Sequence, residues 1–300
     1  MLWQKTYLKA LFGLGRPIIL LGVLMVHSAG AAMAYARGYT PDAAALVWGF
    51  VALFFAGASV NYANEYADFE TDALTEKTRY SGGSGILPGG SVPRALALQA
   101  AWVSLLLGLG IAALGAALGI LNPAALSVLA LGAVGGWMYS LPPLKLAWNG
   151  AAEAANAALG GLLLPLYGYT LLARRVDWDV IAVFLPYALL IFTTAMATTY
   201  PDRAADRQVG KRTLATWMPE VSLRRIYVLV SATSFALLPL LVWWRIMPPQ
   251  VALVSFVPLP AVVIAARQYT CIRNPHPTAR ASMMMIFAQT AGFLWMGAVL

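Results

Sequence analysis

Nine continuous apolar runs, each about as long as the roughly 20 residues a helix needs to cross a bilayer, constrain this chain more than any other feature. They fall near residues 17–37, 43–64, 95–121, 124–141, 154–173, 180–201, 226–244, 250–266 and 281–300, the eighth being short and interrupted by Pro258 and Pro260. In lipid every backbone polar group must find its partner within the fold, so a spanning segment is a helix or a strand of a closed barrel. These runs are continuous rather than alternating, which excludes a barrel. With 60% hydrophobic and 11% charged residues, the 300-residue chain also has too little polar surface for a soluble domain. The fold class expected is all-α: a polytopic membrane protein of nine transmembrane helices forming a single domain over residues 1–300. The first run is long and lacks the short apolar core of a signal peptide, so it reads as a retained helix. One cysteine, Cys271, and two histidines rule out an internal disulfide and leave no soft ligand set for zinc, haem or an iron–sulfur cluster.

The formal net charge is +8, and its placement matters more than its size. Loops assigned from the nine runs put sixteen basic residues on the amino-terminal side and four, Arg37, Arg174, Arg175 and Arg245, on the other. That asymmetry reads as membrane orientation and lipid contact, with no nucleic acid partner. It places the amino terminus and the loops on its side in the cytoplasm of a cell (inner) membrane.

Five of the twelve acidic residues, Glu65, Asp68, Glu70, Asp72 and Glu76, lie within twelve positions at the end of the second run. If that helix continues, Asn64, Asp68 and Asp72 share one face at i, i+4 and i+8, with Glu65 on its edge. Stacked like charges at the mouth of an apolar segment repel and are costly to desolvate, so they call for a cation. Hard oxygen donors with one amide suit Mg²⁺, which is usually held by one or two carboxylates together with substrate phosphates. A glycine-rich loop, SGGSGILPGG, follows, with Arg79 just before it; its glycines allow close backbone approach to an anion.

The sixth run ends in PDRAADRQVGKRT, where Asp202 and Asp206 repeat the i, i+4 spacing and Lys211 and Arg212 follow. Asp68 to Asp202 and Asp72 to Asp206 are both offsets of 134 residues, and an even number of crossings keeps the two pairs on one side of the membrane. Metal-holding carboxylates with cations beside them form an apparatus for binding a diphosphate and stabilising it as a leaving group. Elsewhere, Arg16 precedes Pro17 at a helix start and either snorkels to headgroups or faces a ligand. His27 reads as a hydrogen-bonded structural histidine, and Glu153 as a helix-start carboxylate. The third and fourth runs, rich in Gly and Ala, read as close-packed scaffold.

These motifs resemble the UbiA superfamily of intramembrane aromatic prenyltransferases. The family signature Asn-Asp-x-x-Asp-x-x-x-Asp stands here as Asn64, Glu65, Asp68 and Asp72, with Glu for the first Asp, and the second Asp-x-x-x-Asp as Asp202 and Asp206. Within the superfamily, YSLPPLKLAWNGAAE and YPDRAADRQVGKRTL are most similar to the 1,4-dihydroxy-2-naphthoate prenyltransferases of menaquinone synthesis. The resemblance implies helices around a central cavity with a polar cytoplasmic cap. It implies Mg²⁺ held by Asn64, Glu65, Asp68, Asp72, Asp202 and Asp206, with the four Asp residues as catalytic. It also implies a polyprenyl diphosphate donor met by Arg16, Arg79, Lys211 and Arg212, and an aromatic acceptor near Tyr139 and Lys145. Lys145 would pair with an acceptor carboxylate or anchor its loop at the headgroups. Gly85 stands where relatives carry a second arginine. Homogentisate, 4-hydroxybenzoate, chlorophyllide and glycerol phosphate are alternative acceptors, and transport of a phosphorylated solute is the alternative from another class. Transporter sites, however, sit at the bilayer midplane, whereas both acidic pairs here sit at one face.

The charge partition predicts that single cysteines introduced near Glu76 and Gln208, in a Cys271→Ser background, resist an impermeant thiol reagent added to intact cells. Labelling of either position from outside would invert the topology.

Overall fold

The computed structural model describes residues 2–76 and 82–299. Helices α1 (Leu2–Leu14), α2 (Pro17–Ala36), α3 (Ala43–Ala67), α4 (Phe69–Leu74), α5 (Ala95–Ala117) and α6 (Pro123–Ser140) are followed by a composite helix. This consists of α7 (Ala152–Asn156), a π-helical segment Ala157–Leu163 and α8 (Leu164–Ala173). Then come α9 (Trp178–Thr199), α10 (Arg203–Gln208), α11 (Leu214–Trp217), α12 (Glu220–Trp243), α13 (Pro249–Val254), α14 (Leu259–Gln268) and α15 (His276–Val299). Among the described residues nine helical stretches are long and apolar enough to cross a membrane, as the hydropathy pattern predicts. The one extended pairing among them is an isolated bridge between Asn149 and Arg212.

Helix ends differ from the hydropathy estimate where local chemistry intervenes. The third crossing stops at Ala117 rather than residue 121, because Gly119 turns left-handed (φ +72°) and Ile120 N–H closes on the Gly115 carbonyl at 2.9 Å. The eighth is divided into α13 and α14, with Pro260 in the first turn of α14. Before the first crossing lies α1, which buries Ala10 and Leu14 against Leu87, Val92 and Ala97 and leaves Leu8 and Phe12 exposed. The chain breaks between α1 and α2 at Arg16, left-handed at φ +48°, since a residue before proline is disfavoured in the α conformation. The π-helical segment has a similar cause. Pro165 carries no N–H for the Gly161 carbonyl and its ring crowds that group, so the preceding turns widen.

With little hydrophobic drive between helices in lipid, close packing must hold the bundle. The α2–α8 crossing shows how closely the backbones approach. A Cβ on Gly30 would overlap the Pro165 carbonyl, and one on Gly168 would overlap the His27 carbonyl, so each helix carries its notch opposite the other's backbone. Around the bundle, α3 packs on α5 and α6, α6 on α8, α8 on α2, α2 on α15, α15 on α9 and α9 on α12. The expectation that the third and fourth runs only scaffold holds for α5, which lies outside α3. It fails for α6, whose Val128, Leu129, Gly132, Ala133, Gly136 and Tyr139 line a central cavity.

Gly168→Ala is expected to cost about 1–3 kcal/mol by overpacking against the His27 carbonyl. Gly22→Ala, whose Cβ meets nothing within 4 Å, should be neutral or slightly stabilising. Thermal unfolding of the two variants in one detergent checks the contrast, and equal melting temperatures would refute the notch.

Candidate active site

The central cavity, about 720 Å³, lies within the ~300–1,000 Å³ range of sites that engulf a drug-sized ligand. Its lower wall is apolar, with Val23, Leu53, Val60, Leu163, Leu164 and Tyr167 contributed by α2, α3, the π-helical segment and α8. Its mouth is polar, and Arg16, Asn64, Asp68, Asp72, Asp202 and Lys211 all line it. Asp68 and Asp72 of the first acidic motif and Asp202 of the second, 134 residues after Asp68, therefore meet at one end of one cavity, while Asp206 lies outside the lining, 3.7 Å from Lys211.

The first motif sits where α3 gives way to α4. The helix was expected to run through Asp72, but it ends at Ala67 with Asp68 as the junction. The helical register survives the break, since Asp68 N–H donates to the Asn64 carbonyl at 2.9 Å and Asp72 N–H to the Asp68 carbonyl at 2.8 Å. Asp68 receives three side-chain donors: Asn64 Nδ2 at 2.9 Å, Trp148 Nε1 at 2.9 Å and Lys211 Nζ at 3.1 Å. Burial, then the neighbouring Asp68, pushes the Asp72 carboxyl up to about 7, with Arg16 pulling the other way. Gly83, left-handed at φ +60°, lies so close to Asp72 that a Cβ there would overlap the carboxylate, so the glycine loop caps the first motif.

The second motif lies on the turn between α9 and α10. Asp206 is 1% exposed, and neither carboxylate oxygen has a hydrogen-bond partner among the described residues. Burial pushes it up to about 6, opposed by Lys211, whose Nζ is 3.7 Å away. Lys211 thus sits between the motifs, paired with Asp68 and Asp206. Burial alone would lower its ammonium, but the two carboxylates outweigh that and hold it above the ordinary lysine value.

The hard oxygens at the mouth fit Mg²⁺ in chemistry and number. No group of three or more acidic, His or Cys side chains forms a closed metal site among the described residues. Mg²⁺ is usually held by one or two carboxylates, with water and ligand phosphates completing its shell. Buried Asp206 has Lys211 Nζ at 3.7 Å but no hydrogen bond to either oxygen among the described residues, and that incomplete satisfaction is the observation that most favours an added cation.

Several residues expected at the site are placed elsewhere or held otherwise. Glu65 does not line the cavity; it is ion-paired with Arg16, whose Nε donates at 2.6 Å, and accepts from Ser84 N–H at 2.7 Å and Ser84 Oγ at 2.6 Å. With both oxygens engaged, it acts as a tie between the α1–α2 break and the glycine loop instead of a metal ligand. Lys145 is exposed, with its ammonium 5.7 Å from the Trp148 ring centre, and so does not reach the cavity. Arg212 is likewise exposed and outside the lining; its backbone, in contrast, is held, with its N–H donating to the Trp148 carbonyl at 2.9 Å and its carbonyl accepting from Gly150 N–H at 2.8 Å. Arg79 lies outside the described residues. His27 is buried and packs against the Phe50 and Tyr167 rings; among the described residues neither ring nitrogen has a partner at full hydrogen-bond geometry, and the Leu24 backbone is its nearby polar group. Glu153 is buried and accepts from Leu214 N–H at 3.2 Å and Thr199 Oγ1 at 3.4 Å, anchoring the segment that follows Lys211.

Tyr139 lines the cavity below the mouth, and its hydroxyl accepts from Asn156 Nδ2 at 2.7 Å. Asn156, Asn61 and Thr199, and Ser84 of the glycine-rich loop, also line the cavity, though no motif in the sequence marks them individually. Asn61 and Asn156 carried a usable signal, as amides within otherwise apolar runs. Trp148, which orients Asp68 and stacks with Lys211, carried none.

Comparison with known proteins bears on the family and the fold. The model of the UbiA prenyltransferase family matches residues 23–296. Chlorophyll synthase, chloroplastic, from Arabidopsis thaliana is 30% identical over 154 residues, a match that spans 50% of this chain and only 38% of that protein. The fold is similar to that of a UbiA homologue from Archaeoglobus fulgidus bound to DMAPP and Mg²⁺, with a TM-score of 0.70, 20% identity and coverage of 97% of this chain and 99% of that one. It is also similar to an apo UbiA homologue from Aeropyrum pernix K1, with a TM-score of 0.70, 17% identity and coverage of 93% and 98%. Acidic residues of both motifs at the mouth of a cavity within a helical bundle, and a family match over most of the sequence, lead to one statement: the chain belongs to the UbiA prenyltransferase family.

Proposed function

We propose that this protein transfers a polyprenyl group from an allylic diphosphate to an aromatic acceptor, 1,4-dihydroxy-2-naphthoate, with its acidic mouth on the cytoplasmic side of the cell membrane. The observation that carries the reading is the meeting of Asp68, Asp72, Asp202, Arg16 and Lys211 at the open end of an apolar cavity. The Archaeoglobus fulgidus homologue that shares the fold is bound to DMAPP and Mg²⁺, which supports a diphosphate at this mouth.

Asp68, Asp72, Asp202 and Asp206, with Asn64, would hold Mg²⁺. When bound, the ion supplies Lewis-acid neutralisation of the diphosphate. Arg16 and Lys211 donate to the departing diphosphate as the allylic C–O bond breaks and its electron pair leaves with oxygen. The apolar wall holds the prenyl chain and keeps water from the allylic cation. A carbon of the electron-rich ring then bonds to the allylic carbon, and the ring regains its aromatic electron pair by releasing from that carbon a proton, or its carboxylate as CO₂. Tyr139, its hydroxyl held by Asn156, is placed to orient the ring. With Lys145 outside the cavity, an acceptor carboxylate would face Arg16 or Lys211, and the acceptor assignment rests on the resemblance around Tyr139. The partial identity to chlorophyll synthase favours chlorophyllide as a second acceptor to test.

Purified protein with Mg²⁺ and geranylgeranyl diphosphate is expected to prenylate dihydroxynaphthoate, with products identified by mass spectrometry. Product from homogentisate, 4-hydroxybenzoate or chlorophyllide instead would reject the acceptor and keep the chemistry. Asp68→Asn and Asp202→Asn should each lower turnover on the order of a hundredfold or more, and the double variant should be little worse, as for groups acting as one unit.

Lys211→Met removes the internal counter-ion of two buried carboxylates, a loss on the order of 3 kcal/mol. The melting temperature should therefore fall more in EDTA than in Mg²⁺, where the added ion replaces the lost charge. An equal fall in both would show that Lys211 does not share its place with a cation.

A further inference from the structure

A second cavity lies at the opposite end of the bundle, where α2 and α12 finish and α13 begins. It is about 390 Å³ and is lined by Met33, Arg37, Arg245, Met247, Phe293 and Met296 among others. None of these residues belongs to the acidic mouth.

Its two cations differ in their surroundings. Arg37 is bound from within the protein: its guanidinium pairs with Asp179, donates to the Tyr169 hydroxyl at 3.2 Å and stands 3.9 Å from Asp177. Arg245 is exposed, and its side chain makes no hydrogen bond or ion pair among the described residues. It follows the end of α12 in the left-handed conformation, φ +57°, with Ile246 N–H closing on the Leu241 carbonyl at 2.9 Å. Glycine is the default residue at that position of a helix end, so a cation there is held against the backbone's preference. The Arg37 charge is balanced by Asp179, which leaves Arg245 as the uncompensated charge of the cavity rim.

The depth of this cavity in the membrane is marked independently. Trp178 at the start of α9, Trp243 and Trp244 at the end of α12, and Trp295 near the end of α15 are all exposed at this end of the bundle. Exposed tryptophans collect at the headgroup level of a bilayer. A cavity at that level, with an unpaired cation at its rim and thioether and aromatic side chains inside, matches the junction between a lipid's phosphate and its acyl chains.

We propose that the second cavity is a phospholipid site, in which Arg245, backed by Arg37, takes the phosphate of an anionic headgroup while an acyl chain lies against Met33, Phe293 and Met296. The site is independent of the transfer reaction and stands or falls separately from it. The single uncompensated charge selects a net-anionic headgroup over a zwitterionic one.

The test is native mass spectrometry of the purified full chain in detergent, titrated with phosphatidylglycerol or phosphatidylcholine. The wild type should retain one phosphatidylglycerol more tightly than any phosphatidylcholine. Arg245→Gln should weaken that lipid about fivefold, the size of one basic residue's contribution near an anionic headgroup. Met296→Trp, which fills the cavity and leaves both arginines in place, should weaken it as well. An unchanged melting temperature in either variant shows that the loss is local. Equal retention of the two lipids by the wild type, or wild-type retention of phosphatidylglycerol by both variants, would overturn the site. Displacement of the lipid by inorganic phosphate at equal concentration would show that a free anion is what is read, and would overturn the lipid assignment.

Discussion

A chain that lives in hydrocarbon must satisfy its polar groups from its own atoms, and this requirement governs where irregular structure is tolerated here. Deep polar side chains are mostly spent on backbone carbonyls: Tyr167 donates to Gly49 at 2.9 Å, Asn122 to Thr170 at 2.9 Å and Ser234 to Pro186 at 2.6 Å. Apart from the division of the eighth crossing and the π-helical turns of the fifth, the helix breaks lie at the ends of the crossings, the mouth among them. There the chain gathers carboxylates, which are costly to bury, and supplies two of its own cations against them. Arg16 is spent on Glu65 and Lys211 on Asp68 and Asp206. Burial raises the carboxyls of Asp72 and Asp206 even so, with Arg16 and Lys211 opposing it at the first and Lys211 at the second.

The cavity below the mouth follows from the same economy of contact. Backbone-to-backbone approaches such as that of Gly30 and Gly168 draw α2 and α8 together, while small residues on α3 and α6, Ala56, Gly57, Gly132, Ala133 and Gly136, line the open centre. The widened turns before Pro165 form part of the wall, and Asn156, at their head, fixes the Tyr139 hydroxyl. A departure from ideal helix thus stands where the wall changes from polar to apolar.

Much of this was legible from sequence because hydropathy reports which segments leave water, and it did so for all nine crossings. The i, i+4 carboxylate pairs were legible for a related reason: helix ends at one membrane face must lie near one another, so two matched pairs on one side meet. What the pattern does not carry is the partner of each side chain. Glu65 sits at a ligand position in sequence, yet Arg16, 49 residues away, and Ser84 take its oxygens. Lys145 and Arg212 flank the right motifs, but the turn after Pro143 points one outward, and the bridge with Asn149 fixes only the backbone of the other. His27 has a polar ring packed between aromatic rings, with no full hydrogen bond among the described residues, an arrangement that no local rule anticipates.

The ion pair between Lys211 and the two motifs has a thermodynamic consequence. A ligand arriving at the mouth does not meet bare carboxylates; it exchanges with an ammonium already in contact with them. Its observed affinity is therefore a difference between two sets of contacts, smaller than the new contacts alone would give. The same difference acts when the spent ligand leaves, because the closing of the internal pair contributes to its departure. A mouth that neutralises itself when empty is thereby protected from holding its product too tightly.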